Sequence, residues 1–86
     1  MKLPIIRSLT EKAESDGSSQ NLMHAADVIE VLSQNKAFKP DELDTLGEVL
    51  SNLLGAVEVH KLTEQGMSRS EALNTFMKRV MGSIDN

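Results

Sequence analysis

The side chains able to do chemistry in this chain are sparse and scattered. Two histidines, His24 and His60, supply the only imidazoles, and Glu64 follows His60 by one helical turn. Such a pair could begin a metal site, but a closed site needs three or four converging ligands. The paired Glu-x-x-His repeats of carboxylate-bridged bundles are also missing. His60 therefore reads as a half-buried, hydrogen-bonded histidine. Serines are plentiful, yet none stands in a Gly-x-Ser-x-Gly elbow, and no glycine-rich loop is built to cradle phosphate. Asp41, Glu42, Asp44 and Glu48 crowd one short stretch. Paired carboxylates do acid–base work only when their surroundings push their affinities for protons apart. An acidic first two turns of a helix is a solvated face instead. The expectation is a chain that is not an enzyme and that holds no cofactor, metal or small-molecule ligand.

One motif invites a sharper reading. Gly66-Met67-Ser68-Arg69-Ser70 resembles the turn and opening of a recognition helix in helix-turn-helix proteins, with Arg69, Lys78 and Arg79 as the basic contacts. Three features oppose it. Leu62 stands where a small residue belongs, and Leu73 and Phe76 sit one place off register. Glu71 would also face phosphate. The same letters spell a helix stop, a turn and a capping box. A helix-turn-helix-like DNA-binding regulator is retained as the alternative, with nucleic acid the disfavoured partner.

Composition points the same way. The chain has 86 residues, a formal charge of −4, 40% hydrophobic residues, no Cys, no Trp or Tyr, and two Phe. That length allows one domain with a modest core. Disulfides and thiolate metal sites are excluded. The acidic balance works against binding to nucleic acid or anionic membranes, since counterion release needs clustered Lys and Arg. No apolar run approaches the length of a membrane span. The opening apolar run, broken by Pro4 and Arg7, is too short for a signal-peptide core. The expected location is cytoplasmic.

The elements that position these residues are four helices. The first runs from about Pro4 to Glu14, its stripe made of Ile5, Ile6, Leu9 and Ala13; a short strand over Lys2–Ile6 is the alternative. Residues 15–19 read as a flexible loop. The second helix runs from about Ser19 to Lys36. Leu22, Ala25, Ala26, Ile29 and Leu32 line one face, and Val28 and Val31 widen it towards a second neighbour. The third spans Pro40 to Gln65, where Leu43, Leu46, Leu50, Leu53, Val57 and His60 recur every three or four residues. It would be roughly 39 Å long, against a diameter of about 30 Å for a compact domain of this size. Gly66 closes it, and Ser68 and Glu71 open the fourth helix as a capping box. Ala72, Leu73, Phe76, Met77 and Val80 form the buried stripe of that helix, Gly82 ends it, and residues 83–86 fray.

Within the third helix, Gly47, Ser51 and Gly55 stand four apart beside the leucine seam. Each glycine costs roughly 1 kcal/mol in a helix, so a close approach by another backbone is expected to offset it. That backbone belongs either to the second helix or to another copy of the chain. The candidate interaction surface is therefore Leu46, Gly47, Leu50, Ser51, Leu53, Gly55 and Val57. The partner is a protein or the chain itself, as a homodimer.

End to end, the chain resembles a group of short uncharacterised bacterial proteins. The matching pieces include Met1-Lys2-Leu3-Pro4, Glu42-Leu43-Asp44, Gly47-Glu48, Gly55 through Lys61, Glu71-Ala72-Leu73-Asn74, Phe76-Met77 and Arg79 through Asp85. Residues 8–39 carry little of it. The resemblance implies no activity and transfers no catalytic or binding residue. The reading is an all-α fold: a small four-helix bundle, one domain over 1–86, with a long third helix and a C-terminal antiparallel helical hairpin. Its function is that of a small protein-interaction module.

Overall fold

A computed structural model describes the backbone of residues 1–85 and the side chains of residues 1–80. Four helices follow in order: α1 Leu3–Asp16, α2 Gln20–Ser33, α3 Pro40–Glu64 and α4 Arg69–Asp85. No strand forms among the described residues.

The long α3 is the spine, and α1, α2 and α4 each pack chiefly on it. Its C-terminal half is enclosed on most sides: Asn52, Leu53, Gly55, Ala56, Val57, Val59 and His60 are all buried. Ile6 and Ala13 from α1, Leu22 and Ala26 from α2, and Ala72, Leu73 and Phe76 from α4 complete the core. The earlier part of the leucine seam, Leu43, Leu46 and Leu50, is only half-buried. The molecule is flattened, 42 × 35 × 17 Å, with a radius of gyration of 13.7 Å.

Local chemistry explains the boundaries. Pro4 sits in the first turn of α1, where its missing N–H is no loss. The Lys2 carbonyl accepts from the Ile5 and Ile6 amides, so this segment is helix and the strand alternative is corrected. Helix α1 continues to Asp16, past the expected end at Glu14. The loop that follows is shorter than residues 15–19 and is tied down. Asn21 Nδ2 donates to Asp16 Oδ2 at 3.0 Å, the Gln20 amide donates to Ser18 Oγ, and Ser19 is buried.

Helix α2 stops at Ser33 rather than Lys36, because Asn35 turns the chain: its Oδ1 accepts the Ala37 amide at 2.8 Å. Pro40 then opens α3, and Glu42 Oε1 accepts the exposed Lys39 amide at 2.8 Å. At the far end Gly66, with φ of 106°, takes the left-handed conformation open to glycine. The Met67 amide reaches the Leu62 carbonyl and the Gly66 amide that of Thr63, the two bonds of a Schellman stop. Ser68 Oγ accepts the Glu71 amide at 3.1 Å, as the capping box requires. The Glu71 carboxylate, however, accepts from the Ser68 hydroxyl instead of the Ser68 backbone.

Helix α4 runs through Gly82, where its end was expected, to Asp85. The backbone of residues 83–85 is helical, so the fraying expected there is corrected, and Asn86 lies outside the described residues. Val28 and Val31 were expected to meet a second neighbour. They point away from the chain, 60% and 71% exposed.

Candidate functional site

The seven seam residues divide into two groups. Leu53, Gly55 and Val57 are buried inside the chain, Leu53 keeping only a narrow exposed edge of 5%. A Cβ on Gly55 would lie 3.0 Å from Phe76 Cζ and 3.3 Å from Ile6 Cδ1. The close approach that this glycine permits is made within the chain, as one of the two alternatives had it, but by side chains of α4 and α1 and not by the backbone of the second helix. Leu46, Leu50 and Ser51 are half-buried, and Gly47 is exposed with nothing within 4 Å of the place its Cβ would take.

Beside the N-terminal half of α3 lies a groove of about 310 Å³ between that helix and α1. Ile5 and Leu9 form one wall, Val49 and Leu53 the other. Ile5 and Val49 stand on its rims, 41% and 42% exposed. Periodicity concealed this feature, because Ile5 reads as part of the α1 stripe and Val49 lies off the leucine seam.

The floor of the groove is organised by Asn52, which is almost fully buried on α3. Its Oδ1 accepts the Lys2 backbone amide at 2.9 Å, and its Nδ2 donates to the Glu48 carbonyl at 2.8 Å. The side chain of Lys2 then pairs with Glu48 at 3.3 Å. Residue 2 is held by α3 through both its backbone and its ammonium group, and this pins the start of α1 against the middle of the spine. Every polar group along the groove is thereby matched to another group of the chain or, like Thr45, to its own helix: Thr45 Oγ1 donates to the Asp41 carbonyl.

A second depression, of about 320 Å³, lies where α1 meets the start of α4 and includes Arg7, Arg69 and Asn74. Arg69 is already engaged: Glu14 accepts from its Nε at 2.9 Å and from its Nη2, and Glu11 lies 3.8 Å away. The Glu14 bonds raise the proton affinity of that guanidinium further. Arg79 pairs with Glu58 on α3 and lies over the Phe76 ring, 5.9 Å from its centre. Lys78 is exposed. Two of the three basic residues proposed to meet DNA are thus paired with carboxylates of their own chain. The turn before them serves as the helix stop already described.

His60 is buried, more deeply than expected, and its Nδ1 has no hydrogen-bond partner among the described residues; the Glu64 carboxylate stands 3.8 Å from it. That corrects the expectation of a hydrogen-bonded, half-buried ring. His24 is exposed. Among the described residues no three His, Cys, Asp or Glu side chains converge as a metal site would require. Of the acidic stretch, Asp41 and Asp44 face solvent, whereas Glu42 caps α3 and Glu48 pairs with Lys2. Met67 and Met77 pack against the core. Among the described residues, no helix is long and apolar enough to cross a membrane.

No curated protein and no solved structure matches the chain. A family profile does, over residues 1–85, nearly its whole length. The chain belongs to the Family of unknown function (DUF6952).

Proposed function

We propose that this chain is a small cytoplasmic protein-interaction module that associates with itself through its long helix, and that it is a binding protein rather than an enzyme. The observation that carries this reading is the α1/α3 groove. It offers open apolar walls, with Ile5 and Val49 standing proud of them. Exposed apolar surface rimmed by polar residues marks interaction sites. Lys2, Glu48 and Asn52 are spent on one another and on backbone groups, so the groove holds no acid–base pair for chemistry. The contact surface on α3 shifts accordingly. On α3 the groove is lined by Thr45, Glu48, Val49, Asn52 and Leu53, whereas Leu46, Gly47, Leu50 and Ser51 are accessible in part but lie on other faces of the helix, outside it.

Light scattering across concentration tests the reading on the wild-type chain. A mass that rises from monomer towards dimer as the concentration reaches the high micromolar range is the expected result. A strictly monomeric mass up to about 0.5 mM, weaker than a millimolar-class contact would allow, contradicts it.

A further inference from the structure

We infer that the peptide bond between Asp16 and Gly17 is a site of spontaneous covalent modification, isoaspartate formation, and that the turn joining α1 to α2 holds that reaction back. The inference goes beyond the self-association reading and stands independently of it.

The reaction needs an aspartate followed by an unhindered amide nitrogen. Gly17 has no side chain to shield its nitrogen, and Asp16-Gly17 is the one Asp-Gly or Asn-Gly pair in the chain. In the first step the Gly17 nitrogen attacks Asp16 Cγ. A C–N bond forms, the Cγ–OH bond breaks, and water leaves with the amide proton, giving a five-membered cyclic imide. Water then opens the ring at one of two bonds. Cleavage between the nitrogen and Cγ restores aspartate. Cleavage between the nitrogen and the main-chain carbonyl carbon leaves the backbone running through Cβ and Cγ, with a free carboxylate on Cα. Water is the only co-reactant, and the mass of the chain is unchanged.

Both reacting residues are exposed, yet each reacting group is restrained. Asp16 Oδ1 accepts from Lys12 Nζ and Oδ2 accepts from Asn21 Nδ2, both at 3.0 Å. These bonds keep the carboxyl ionised to lower pH than usual. The ionised form is the poorer electrophile, because it has no hydroxyl to lose. The Gly17 amide is engaged as well, donating to the Glu14 carbonyl at 3.2 Å. Asp16 is also the last residue of α1. Ring closure needs its Cβ nearly eclipsed with the Gly17 nitrogen, and a helical ψ of about −42° turns Cβ well away from that position. The reaction therefore waits for the turn to open, a local event that costs less than unfolding the whole chain.

The product does not fit the turn. Only Gly17, Ser18 and Ser19 join α1 to α2. An extra backbone carbon, with the carboxylate moved from Cβ to Cα, removes the geometry of the Gly17 cap and of both bonds to Asp16. Modification therefore loosens the end of α1.

The test is to age the full chain at neutral pH and follow isoaspartate by enzymatic methyl transfer and peptide mapping. Deamidation of an asparagine changes the mass and is thereby told apart. The chain held unfolded in guanidinium chloride should accumulate isoaspartate at position 16 at least about tenfold faster than the folded chain. Asn21→Ala, verified as folded by circular dichroism, should raise the folded rate by about threefold or more, since it frees one carboxylate oxygen and loosens the turn. Gly47→Ala, which leaves the turn untouched, should keep the wild-type rate. Asp16→Glu should abolish the signal, because a glutamate would have to close a slower six-membered ring.

A folded chain that reacts as fast as the unfolded one overturns the restraint. A rate that falls with Gly47→Ala and ignores Asn21→Ala shows that reaction proceeds only through global unfolding, and overturns it too. Absence of isoaspartate in the unfolded chain, or a signal that survives Asp16→Glu, overturns the site itself.

Discussion

Changing each of two glycines of α3 to alanine separates the chain's inside from its outside. Gly47 and Gly55 share a helix, lie two turns apart and have ordinary helical backbone angles, since neither is among the glycines of positive φ. At Gly47 the added methyl group meets nothing within 4 Å. Only the helical gain remains, so Gly47→Ala should stabilise the fold by about 0.5–1 kcal/mol. That corresponds to a rise of about 2–8 °C in melting temperature for a domain of this size. At Gly55 the same gain is opposed. The methyl group would sit 3.0 Å from Phe76 Cζ, 3.4 Å from Phe76 Cε2 and 3.3 Å from Ile6 Cδ1, and both side chains are buried. Overpacking of this kind costs about 1–3 kcal/mol. Gly55→Ala should therefore range from neutral to about 2 kcal/mol destabilising, and Gly55→Leu should be worse. Urea unfolding followed by far-UV circular dichroism gives both values, with an unchanged slope against denaturant showing that only stability has moved. Equal effects at the two sites would refute the placement of Phe76 and Ile6 over Gly55. A loss of stability for Gly47→Ala, growing with protein concentration, would show that another copy approaches that glycine closely.

Other perturbations probe the joints. Asn52→Ala removes the acceptor for the Lys2 amide and the donor to the Glu48 carbonyl. It should cost about 1–3 kcal/mol in urea unfolding and loosen the start of α1, which amide exchange at Ile5 and Ile6 would report. Ser68→Ala should cost about 0.5–2 kcal/mol, with Ser68→Asp restoring most of it, because the Glu71 amide needs an acceptor at that position. Asp16 accepts from Asn21 and Lys12, which hold its carboxyl below the ordinary value of 3.8. The unfolded chain therefore binds this proton first as pH falls. The contribution of Asp16 is full above about pH 5 and is lost as pH drops through 3.8 towards its lowered folded value. Asn21→Ala should make the fall in stability between about pH 5 and pH 3 shallower, read from melts at each pH.

Much of the architecture is legible in the residues. The leucine repeat marks α3, Gly66 marks its stop, and Ser68 with Glu71 marks the restart, because each depends on neighbours within a turn or two. What is hidden depends on distant partners. Nothing near Asn52 says that it will take the amide of Lys2, fifty residues earlier. Gly47 and Gly55 look alike in sequence, and only the arrival of Phe76 from α4 tells them apart. Periodicity also reports which residues share a face without saying what covers it. Val28 and Val31 thus look like part of a widened buried stripe, although they stand 60% and 71% exposed among the described residues. The groove was missed for a related reason: Ile5 lies on α1 and Val49 on α3, and a surface shared by two helices has no period of its own.

The most direct single measurement is amide hydrogen exchange along α3, residue by residue. A spine whose C-terminal half is wrapped by three helices should show its slowest amides continuously from Asn52 to His60, Gly55 included, with protection through Gly47 weaker but unbroken. Exchange at Gly55 as fast as at the chain ends would show the helix interrupted there, and would contradict both the core and the groove built on it.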